Sequence, residues 1–189
     1  MDTTDRLLEA ALHLFAERGY DAVGVQELVE AAGTTKPPLY HHFGSKEGLL
    51  AALVERHATG WLERLERAAA YHGDLPLTVL RVARAFLDQA TRRPDYHRLH
   101  LALWFAPRGS TPHHVVAPWL LRQHGVLAAL FRAAATDHGN LRGHDTAYAI
   151  SFTGILNGYT SSLQEVGLPL DEAVAQEACR QFMHGIYAL

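Results

Sequence analysis

Apolar residues recur along this 189-residue chain at the spacing of helices rather than of strands. The first such stretch predicts a helix from about Thr3 to Arg18, and its apolar face consists of Leu7, Leu8, Ala11, Leu12 and Phe15. Gly19 ends this helix, because glycine readily adopts the left-handed backbone that closes a helix. No stretch combines sustained apolar–polar alternation with β-branched residues. The pattern therefore predicts an all-α protein.

Glycine, proline and polar turns divide the rest of the chain into further predicted helices. These cover approximately residues 25–32, 35–43, 46–71, 77–91, 95–105, 119–137, 145–166 and 171 to the C-terminus. Residues 106–118 contain three prolines and are predicted to form an irregular connection. A compact N-terminal group of three helices thus precedes longer ones, with the change near residue 50.

Overall charge does not identify a nucleic-acid-binding protein, because the formal net charge is −3. Local charge is more informative. Both lysines of the chain, Lys36 and Lys46, lie within residues 33–46, which also contain His41 and His42 and no acidic residue. Residues 1–32, by contrast, carry seven acidic residues and two arginines. A polyanion that binds this chain would therefore dock at residues 33–46.

The remaining composition bears on where the protein acts. The single cysteine, Cys179, excludes an internal disulfide framework and fits a reducing cytoplasm. No apolar run is long enough to span a bilayer, and the N-terminal residues do not resemble a signal peptide. We therefore expect a cytoplasmic protein with no membrane partner.

Two short predicted helices meet at the small residues Ala31, Ala32 and Gly33, which is the arrangement of a helix-turn-helix. In the second of these helices Leu39 and Phe43 are four residues apart and can both face the core. The residues left to hydrogen-bond phosphates or base edges are Thr35, Lys36, Tyr40, His41 and His42. An ordinary helical corner, whose polar residues only cover a core, is the alternative.

Residues 19–50 resemble the DNA-binding region of TetR/AcrR-family transcriptional regulators. The matching features keep their register, and they are Gly19-Tyr20, Ala32-Gly33, the run from Leu39 to Phe43, and Ser45-Lys46-Glu47. The resemblance implies a helix-turn-helix DNA-binding domain over 1–48 and a larger helical effector-binding and dimerisation domain over 49–189. It further implies a ligand-responsive repressor that binds a pseudo-palindromic DNA operator as a homodimer and needs no cofactor.

Carried over by position, the resemblance also implies a set of DNA-binding residues, namely Thr34, Thr35, Lys36, Pro38, Tyr40, His41, His42 and Lys46. Tyr40 would donate its hydroxyl to a phosphate, and Lys36 would reach a phosphate or a guanine edge. Lys46 would meet a phosphate at the positive end of the fourth helix.

Two positions depart from the family pattern. Gly24 stands where Ser or Thr usually caps the second helix, so this chain lacks the hydroxyl that would contact the DNA backbone there. Pro38 stands where a small hydroxyl residue is common, and Pro37 precedes it. Prolines fit the first turn of a helix, but they give Thr35 no backbone donors to cap. We therefore expect the Thr35 hydroxyl to be free for DNA and Pro38 to make only apolar contact.

The penultimate helix carries small residues at helical spacing, a pattern that permits close approach of another helix. The candidate dimer interface comprises Ser151, Gly154, Gly158 and Ser162, with Phe182 from the last helix. The same face could instead pack inside its own subunit, and the residues alone leave both interpretations open. The family resemblance, in which the last two helices pair with their copies, favours a homodimer.

Aromatic residues and histidines cluster around the proline-rich connection, which is typical of a ligand pocket with apolar walls and a few polar groups. The candidate effector-binding residues are Tyr96, His97, His100, Trp104, Phe105 and Trp119. We expect a small apolar or aromatic effector there. Ordinary core packing of the same residues is the alternative.

Two other classes of protein compete with a regulator. A metal site needs three or four convergent ligands, and no cysteine or acidic pair completes the set begun by His97, His100, His113 and His114. An all-helical hydrolase or lyase could use histidines as acid–base groups. The chain, however, lacks a Gly-x-Ser-x-Gly elbow, a phosphate-binding glycine loop and an HExxH pattern. We therefore predict neither a metal centre nor an enzyme.

Overall fold

The computed structural model of the protein describes residues 2–184, apart from the side chains of residues 163 and 164. Within this range the regular structure is entirely helical, which confirms the predicted all-α class. The helices are α1 (Thr3–Arg18), α2 (Val25–Ala31), α3 (Lys36–Phe43), α4 (Lys46–Ala69), α5 (Leu75–Arg92), α6 (Pro94–Trp104), α7 (Thr111–Ala134), α8 (Asp145–Glu165) and α9 (Glu172–His184). A short 3₁₀ helix, Gly139–Leu141, links α7 to α8. The part of the last predicted helix beyond residue 184 lies outside the described residues.

Capping residues account for the ends of the N-terminal helices. Asp2 Oδ1 accepts a hydrogen bond from Asp5 N at 2.7 Å before α1, and Ser45 Oγ accepts one from Gly48 N at 2.9 Å before α4. Gly19 closes α1 with a φ of 79°. The prediction of α1 is therefore confirmed at both ends.

The prediction for residues 106–118 is wrong, because α7 already begins at Thr111. Pro112 lies in the first turn of α7, where a missing N–H has no helical partner to lose. Pro118 lies inside the helix and removes one backbone hydrogen bond. The helix nevertheless continues, since its apolar side, with the fully buried Val116, packs into a core. Burial of that side outweighs the hydrogen bond lost at Pro118.

The chain divides into two compact units. The first contains the residues up to 60 together with 93–120, and the second contains 61–92 together with the residues from 121 onward. Helices α4 and α7 each contribute residues to both units. The functional division into 1–48 and 49–189 that the family resemblance implies stays a prediction.

The first unit joins the N-terminal helices to α6 through one hydrophobic core. Helix α1 packs against α2, α3 and α6. The fully buried side chains of this core include Leu7, Phe15, Leu28, Leu39, Leu49, Leu50 and Leu53. On the surface of the same unit, Arg56 pairs with Asp5, and Arg93 pairs with Glu9 at 3.2 Å. The short helices α2 and α3 are therefore held by longer neighbours.

The second unit is built from α5, α8 and α9 together with parts of α4 and α7. Aromatic rings fill its centre, with ring centroids 6.3 Å apart for Phe131 and Phe152 and 4.6 Å apart for Phe152 and Phe182. A buried hydrogen bond of 2.7 Å runs from Trp61 Nε1 to Gln123 Oε1. Because that indole N–H is satisfied, Trp61 can be buried without leaving an unpaired donor.

Candidate nucleic-acid interface

The turn between α2 and α3 has the tight geometry of a helix-turn-helix. Gly33 N donates to Glu30 O at 3.0 Å, and Thr34 N donates to Val29 O at 2.8 Å. Gly33 has a φ of 59°, a conformation that side-chain-bearing residues adopt only with strain. Arg6 Nη1 of α1 donates to Gly33 O at 3.3 Å. The turn is therefore fixed both from within and by α1.

Helix α3 is anchored by one fully buried side chain. Leu39 has no exposed surface, and Phe43 is partly buried against the same core. Pro38 and Thr34 are half-buried, whereas Tyr40 is 49% exposed although it is aromatic. The exposed residues of α3 and its N-cap include Thr35, Lys36, Tyr40, His41 and His42. This short helix thus presents hydroxyl, ammonium and imidazole groups to the outside.

The start of α3 offers few backbone N–H groups for binding an anion. Thr35 is the N-cap, with φ −121° and ψ 172°, and its hydroxyl makes no capping hydrogen bond. Pro37 and Pro38 occupy the first turn and have no N–H. The Lys36 side chain is exposed, and its ammonium has no hydrogen-bond or ion-pair partner among the described residues. Two of the backbone N–H groups that a helix N-terminus usually offers an anion are therefore missing, and side chains have to supply more of the contact.

Gly24 caps α2 without a side chain. Its backbone is extended, with φ −88° and ψ 156°, and its N–H donates to Glu27 Oε2 at 2.9 Å. Arg18 holds Glu27 through an ion pair of 3.1 Å. The Gly24 N–H, followed by Arg18, keeps the pKa of Glu27 below its ordinary value. Helix α2 thus has the glutamate half of a capping box and lacks the hydroxyl half.

The ammonium of Lys46 is engaged inside the fold. Nζ donates to the carbonyl oxygens of Tyr20 and Val23, both at 3.0 Å, and lies 4.0 Å from the centroid of the Tyr20 ring. The side chain is half-buried. The charge therefore has partners within its own chain, and the phosphate contact that the family resemblance implies for Lys46 stays a prediction.

The predicted effector-binding residues fall into different environments within the first unit. Tyr96 and His97 are only 2% and 5% exposed, whereas Phe105 is 80% exposed. The half-buried members are His100, Trp104 and Trp119. Ring centroids along α6 are 6.1 Å apart for Tyr96 and His100 and 6.0 Å apart for His100 and Trp104. The structure thus brings four of these residues together along α6 and leaves Phe105 outside them.

His57 of α4 lies beside these α6 residues, although it is not among the residues predicted from the sequence. The imidazole ring stacks on Tyr96 with the two centroids 4.4 Å apart. A signal was available, because His57 lies four residues from both Leu53 and Trp61 and therefore shares the apolar side of the helix.

The imidazoles of this cluster, which comprises His57, Tyr96, His97, His100 and Trp104, are uncharged at neutral pH. Burial, followed by the charge of Arg93, lowers the pKa of His57 to about 4. Burial also lowers the pKa of His97 to about 4 and that of His100 to about 4. The Nε2 atoms of His57 and His97 are buried and have no hydrogen-bond partner among the described residues. The cluster therefore suits an uncharged polar group better than an anion.

Four of the five predicted dimer-interface residues lie on an exposed face of α8, which consists of Ser151, Gly154, Gly158 and Ser162. A Cβ atom built on Gly154 or Gly158 would meet nothing within 4 Å among the described residues. The structure does not bring Phe182 to this face. Its ring packs inside its own chain, with centroids 5.6 Å from Phe131 and 6.2 Å from Tyr148.

Two further kinds of site are absent from the described residues. No group of three or more His, Cys, Asp and Glu side chains in residues 2–184 is arranged to hold a metal ion. Over the same range, no helix combines the length and the hydrophobicity of a membrane span.

The chain is similar to known regulators along most of its length. Residues 7–53 match the family model described as bacterial regulatory proteins, tetR family. The transcriptional activator FasR of Mycolicibacterium smegmatis is 36% identical over 94 residues, which are 50% of this chain and 43% of FasR. The chain spans less than half of the length of several curated relatives, FasR among them.

A second relative is matched more completely. The transcriptional repressor AcnR of Corynebacterium efficiens is 30% identical over 145 residues, which are 75% of this chain and 70% of AcnR. The fold also matches that of the regulator FadR from Bacillus subtilis, solved in complex with stearoyl-CoA, with a TM-score of 0.81. That match covers 97% of this chain and 99% of the FadR chain at 15% identity, so it concerns the fold alone. Identity to AcnR over most of both chains, joined to the match at residues 7–53, shows that the chain belongs to the tetR family of bacterial regulatory proteins.

Proposed function

We propose that the protein is a transcriptional regulator that binds a pseudo-palindromic DNA operator as a homodimer and releases it when a small apolar or aromatic effector binds. The observation that carries the proposal is the exposure of Thr35, Lys36, Tyr40, His41 and His42 around a helix with a single fully buried anchor, Leu39. A helix whose polar side chains only covered a core would not need an exposed tyrosine beside two exposed histidines.

Repression is proposed in preference to activation. FasR is named an activator and AcnR a repressor, and the match to AcnR extends over more of this chain. A repressor bound across an operator acts by occupying DNA, which requires only a DNA-binding face and a dimer. Such a protein acts in the cytoplasm and has no need of catalytic residues.

The small size of the DNA-reading unit supports a homodimer. Helix α3 has eight residues, and helix-turn-helix proteins with such short recognition helices read two half-sites about one helical turn apart through a two-fold axis. The exposed face of Ser151, Gly154, Gly158 and Ser162 supports pairing through α8, because its small side chains allow a second helix to approach closely. Phe182 of α9 supports that face from within its own subunit.

The proposed effector site is the cluster along α6. Tyr96, His97, His100 and Trp104 combine aromatic walls with imidazoles that are neutral at pH 7. Phe105 and Trp119 remain candidate lining residues at the ends of this segment. FadR, which shares the fold, was solved with a ligand whose acyl chain is apolar. We infer an uncharged apolar or aromatic effector with one hydrogen-bonding group.

The proposal is tested by selecting duplexes from a random-sequence pool with the wild-type protein and measuring their affinity for variants. Tyr40→Phe should weaken binding roughly tenfold, the value of one hydrogen bond to a charged phosphate. Tyr71→Phe, which removes a hydroxyl from a tyrosine in the second unit, serves as the matched control and should leave affinity unchanged.

The selected sequences provide an independent check of the dimer. We expect two inverted half-sites with a fixed spacing and a complex that contains two protein chains. Failure to enrich any duplex, or equal affinity of Tyr40→Phe and Tyr40→Ala with the wild-type protein, would contradict the proposed function.

A further inference from the structure

The side chain of Lys46 bridges two elements of the helix-turn-helix unit. Lys46 is the first residue of α4, and its two carbonyl acceptors, Tyr20 O and Val23 O, lie in the connection between α1 and α2. Val23 is almost fully buried and immediately precedes Gly24, the N-cap of α2. The lysine thus ties the start of α4 to the start of the helix that positions α3.

These contacts occupy most of the hydrogen-bonding capacity of the Lys46 ammonium group. Two of its three protons go to the carbonyl oxygens of Tyr20 and Val23, and the Tyr20 ring lies 4.0 Å from the nitrogen. That ring is itself held by Phe15 of α1, with centroids 5.3 Å apart. One proton of the ammonium remains, and it can meet a phosphate only from the position that the two carbonyl bonds and the Tyr20 ring fix. To reach a phosphate anywhere else, the lysine would have to give up these contacts.

The surroundings of Lys46 are also poor in positive charge. Asp21 and Glu47 lie near Tyr20, and after burial their charges raise the pKa of its hydroxyl. The same corner holds Arg18 paired with Glu27, which gives it two cations and three carboxylates. Lys36, by contrast, is exposed, and its ammonium has no hydrogen-bond or ion-pair partner among the described residues.

We propose that Lys46 is a positioning residue, which sets the placement of α2 and α3 relative to α4, and that the phosphate-binding lysine of this chain is Lys36. The inference rests on the proposed DNA binding. It also gives α4 a direct mechanical connection to the helix-turn-helix, so that a displacement of the start of α4 is carried to the connection before α2 through one side chain.

The salt dependence of DNA binding separates the two roles. Each phosphate neutralised by a lysine contributes roughly 0.9 to the slope of log K against log salt, so Lys36→Met should make that slope shallower by about this amount. Lys46→Met should weaken binding about tenfold, the equivalent of one charge-assisted hydrogen bond, at every salt concentration without a change of slope. The two variants remove the same charge from the only two lysines of the chain, and each is the matched control for the other.

Variants of Tyr20 test the bridge from its other end. Tyr20→Phe keeps the ring and should bind DNA like the wild-type protein. Tyr20→Leu removes the ring and should reproduce the parallel loss of affinity seen with Lys46→Met. Combining Tyr20→Leu with Lys46→Met should cost clearly less than the sum of the two single effects, because both disrupt the same contact.

A spectroscopic measurement on the wild-type protein needs no variant that might fail to fold. The ε-methylene protons of Lys46 should be shifted upfield by the ring current of Tyr20, and this shift should persist when a selected duplex is added. A shift lost on adding DNA, a shallower slope for Lys46→Met, or full affinity of that variant would each overturn the inference. If the wild-type protein binds no duplex, the proposed function fails, and the shift measured without DNA still tests the bridge by itself.

Discussion

Helices α3 and α6 carry similar side chains in opposite environments. Tyr40, His41 and His42 of α3 are exposed, whereas Tyr96 and His97 of α6 are buried. Both helices belong to the first compact unit, and both have few turns. The difference shows that a tyrosine next to a histidine has no fixed role, because the role depends on whether neighbouring elements cover the side chain.

The contrast depends on which side chains the neighbouring helices cover. Helix α3 contacts α1 and α2 on one side, and Leu39 is its only fully buried residue. Helix α6 packs against α1, and its Tyr96 ring is covered by His57 of α4 at a centroid distance of 4.4 Å. An enclosed tyrosine contributes to stability through the apolar area that it buries. An exposed tyrosine keeps its hydroxyl available for a ligand.

The largest effect expected from this comparison is on stability. Replacement of the buried ring in Tyr96→Ala should lower the free energy of unfolding by about 3 to 5 kcal/mol, as for other large aromatic residues in cores. The same change in Tyr40→Ala should lower the free energy of unfolding by only about 1 kcal/mol, because half of the side chain is already exposed. Urea unfolding of both variants measures the difference. A similar loss of unfolding free energy in the two variants would show that Tyr40 and Tyr96 are not in different environments.

A second, smaller effect concerns pH. The pKa of His97 is lowered by burial to about 4, against an ordinary value of 6.5, so the folded state binds fewer protons than the unfolded chain between these values. The contribution of the neutral His97 side chain to the free energy of unfolding is therefore fully present above pH 6.5. It is lost as the pH falls towards 4, and for His97 alone the loss is about 3 kcal/mol. The lowered pKa values of His57 and His100 act in the same direction.

Unfolding measured by urea between pH 7.5 and pH 4.5 should show this loss as a decreasing midpoint. In His97→Leu the decrease should be clearly smaller, because one of the three buried imidazoles is gone. A variant with the wild-type dependence on pH would show that His97 is not shielded from water in solution.

Much of the fold was predictable because helical periodicity and capping are local properties. Helix α1 was predicted from Thr3 to Arg18 and has these bounds, since its apolar stripe and Gly19 are both visible in the sequence. The start of α7 at Thr111 was not predictable from proline content, because it depends on what Val116 packs against. Tertiary burial decides such cases, and a single sequence does not display it.

The candidate site, too, could be predicted from the sequence only where it depends on local patterns. The exposed residues of α3 could be identified, because Leu39 and Phe43 fix which side of a short helix faces the core. The partners of Lys46 could not, since Tyr20 and Val23 lie 26 and 23 positions away along the chain. The same limit applies to the pairing of His57 with Tyr96, which join α4 to α6.

The smallest predicted effect lies on the exposed side of the comparison, at the start of α2. Gly24 has the extended backbone of an N-cap, and a Cβ there would lie 3.9 Å from Glu27 Oε2, an ordinary contact. Gly24→Ser should therefore be accommodated and should raise the free energy of unfolding by a few tenths of a kcal/mol, since the hydroxyl can cap α2. Gly24→Ala provides the matched control, because it adds the Cβ without the hydroxyl.

If the start of α2 faces DNA, the serine variant should also bind a selected duplex about fivefold more tightly than the alanine variant, through one hydrogen bond to a phosphate. Equal affinities of the two variants, together with a normal capping gain for serine, would mean that the start of α2 acts on stability alone and does not belong with the exposed residues of α3.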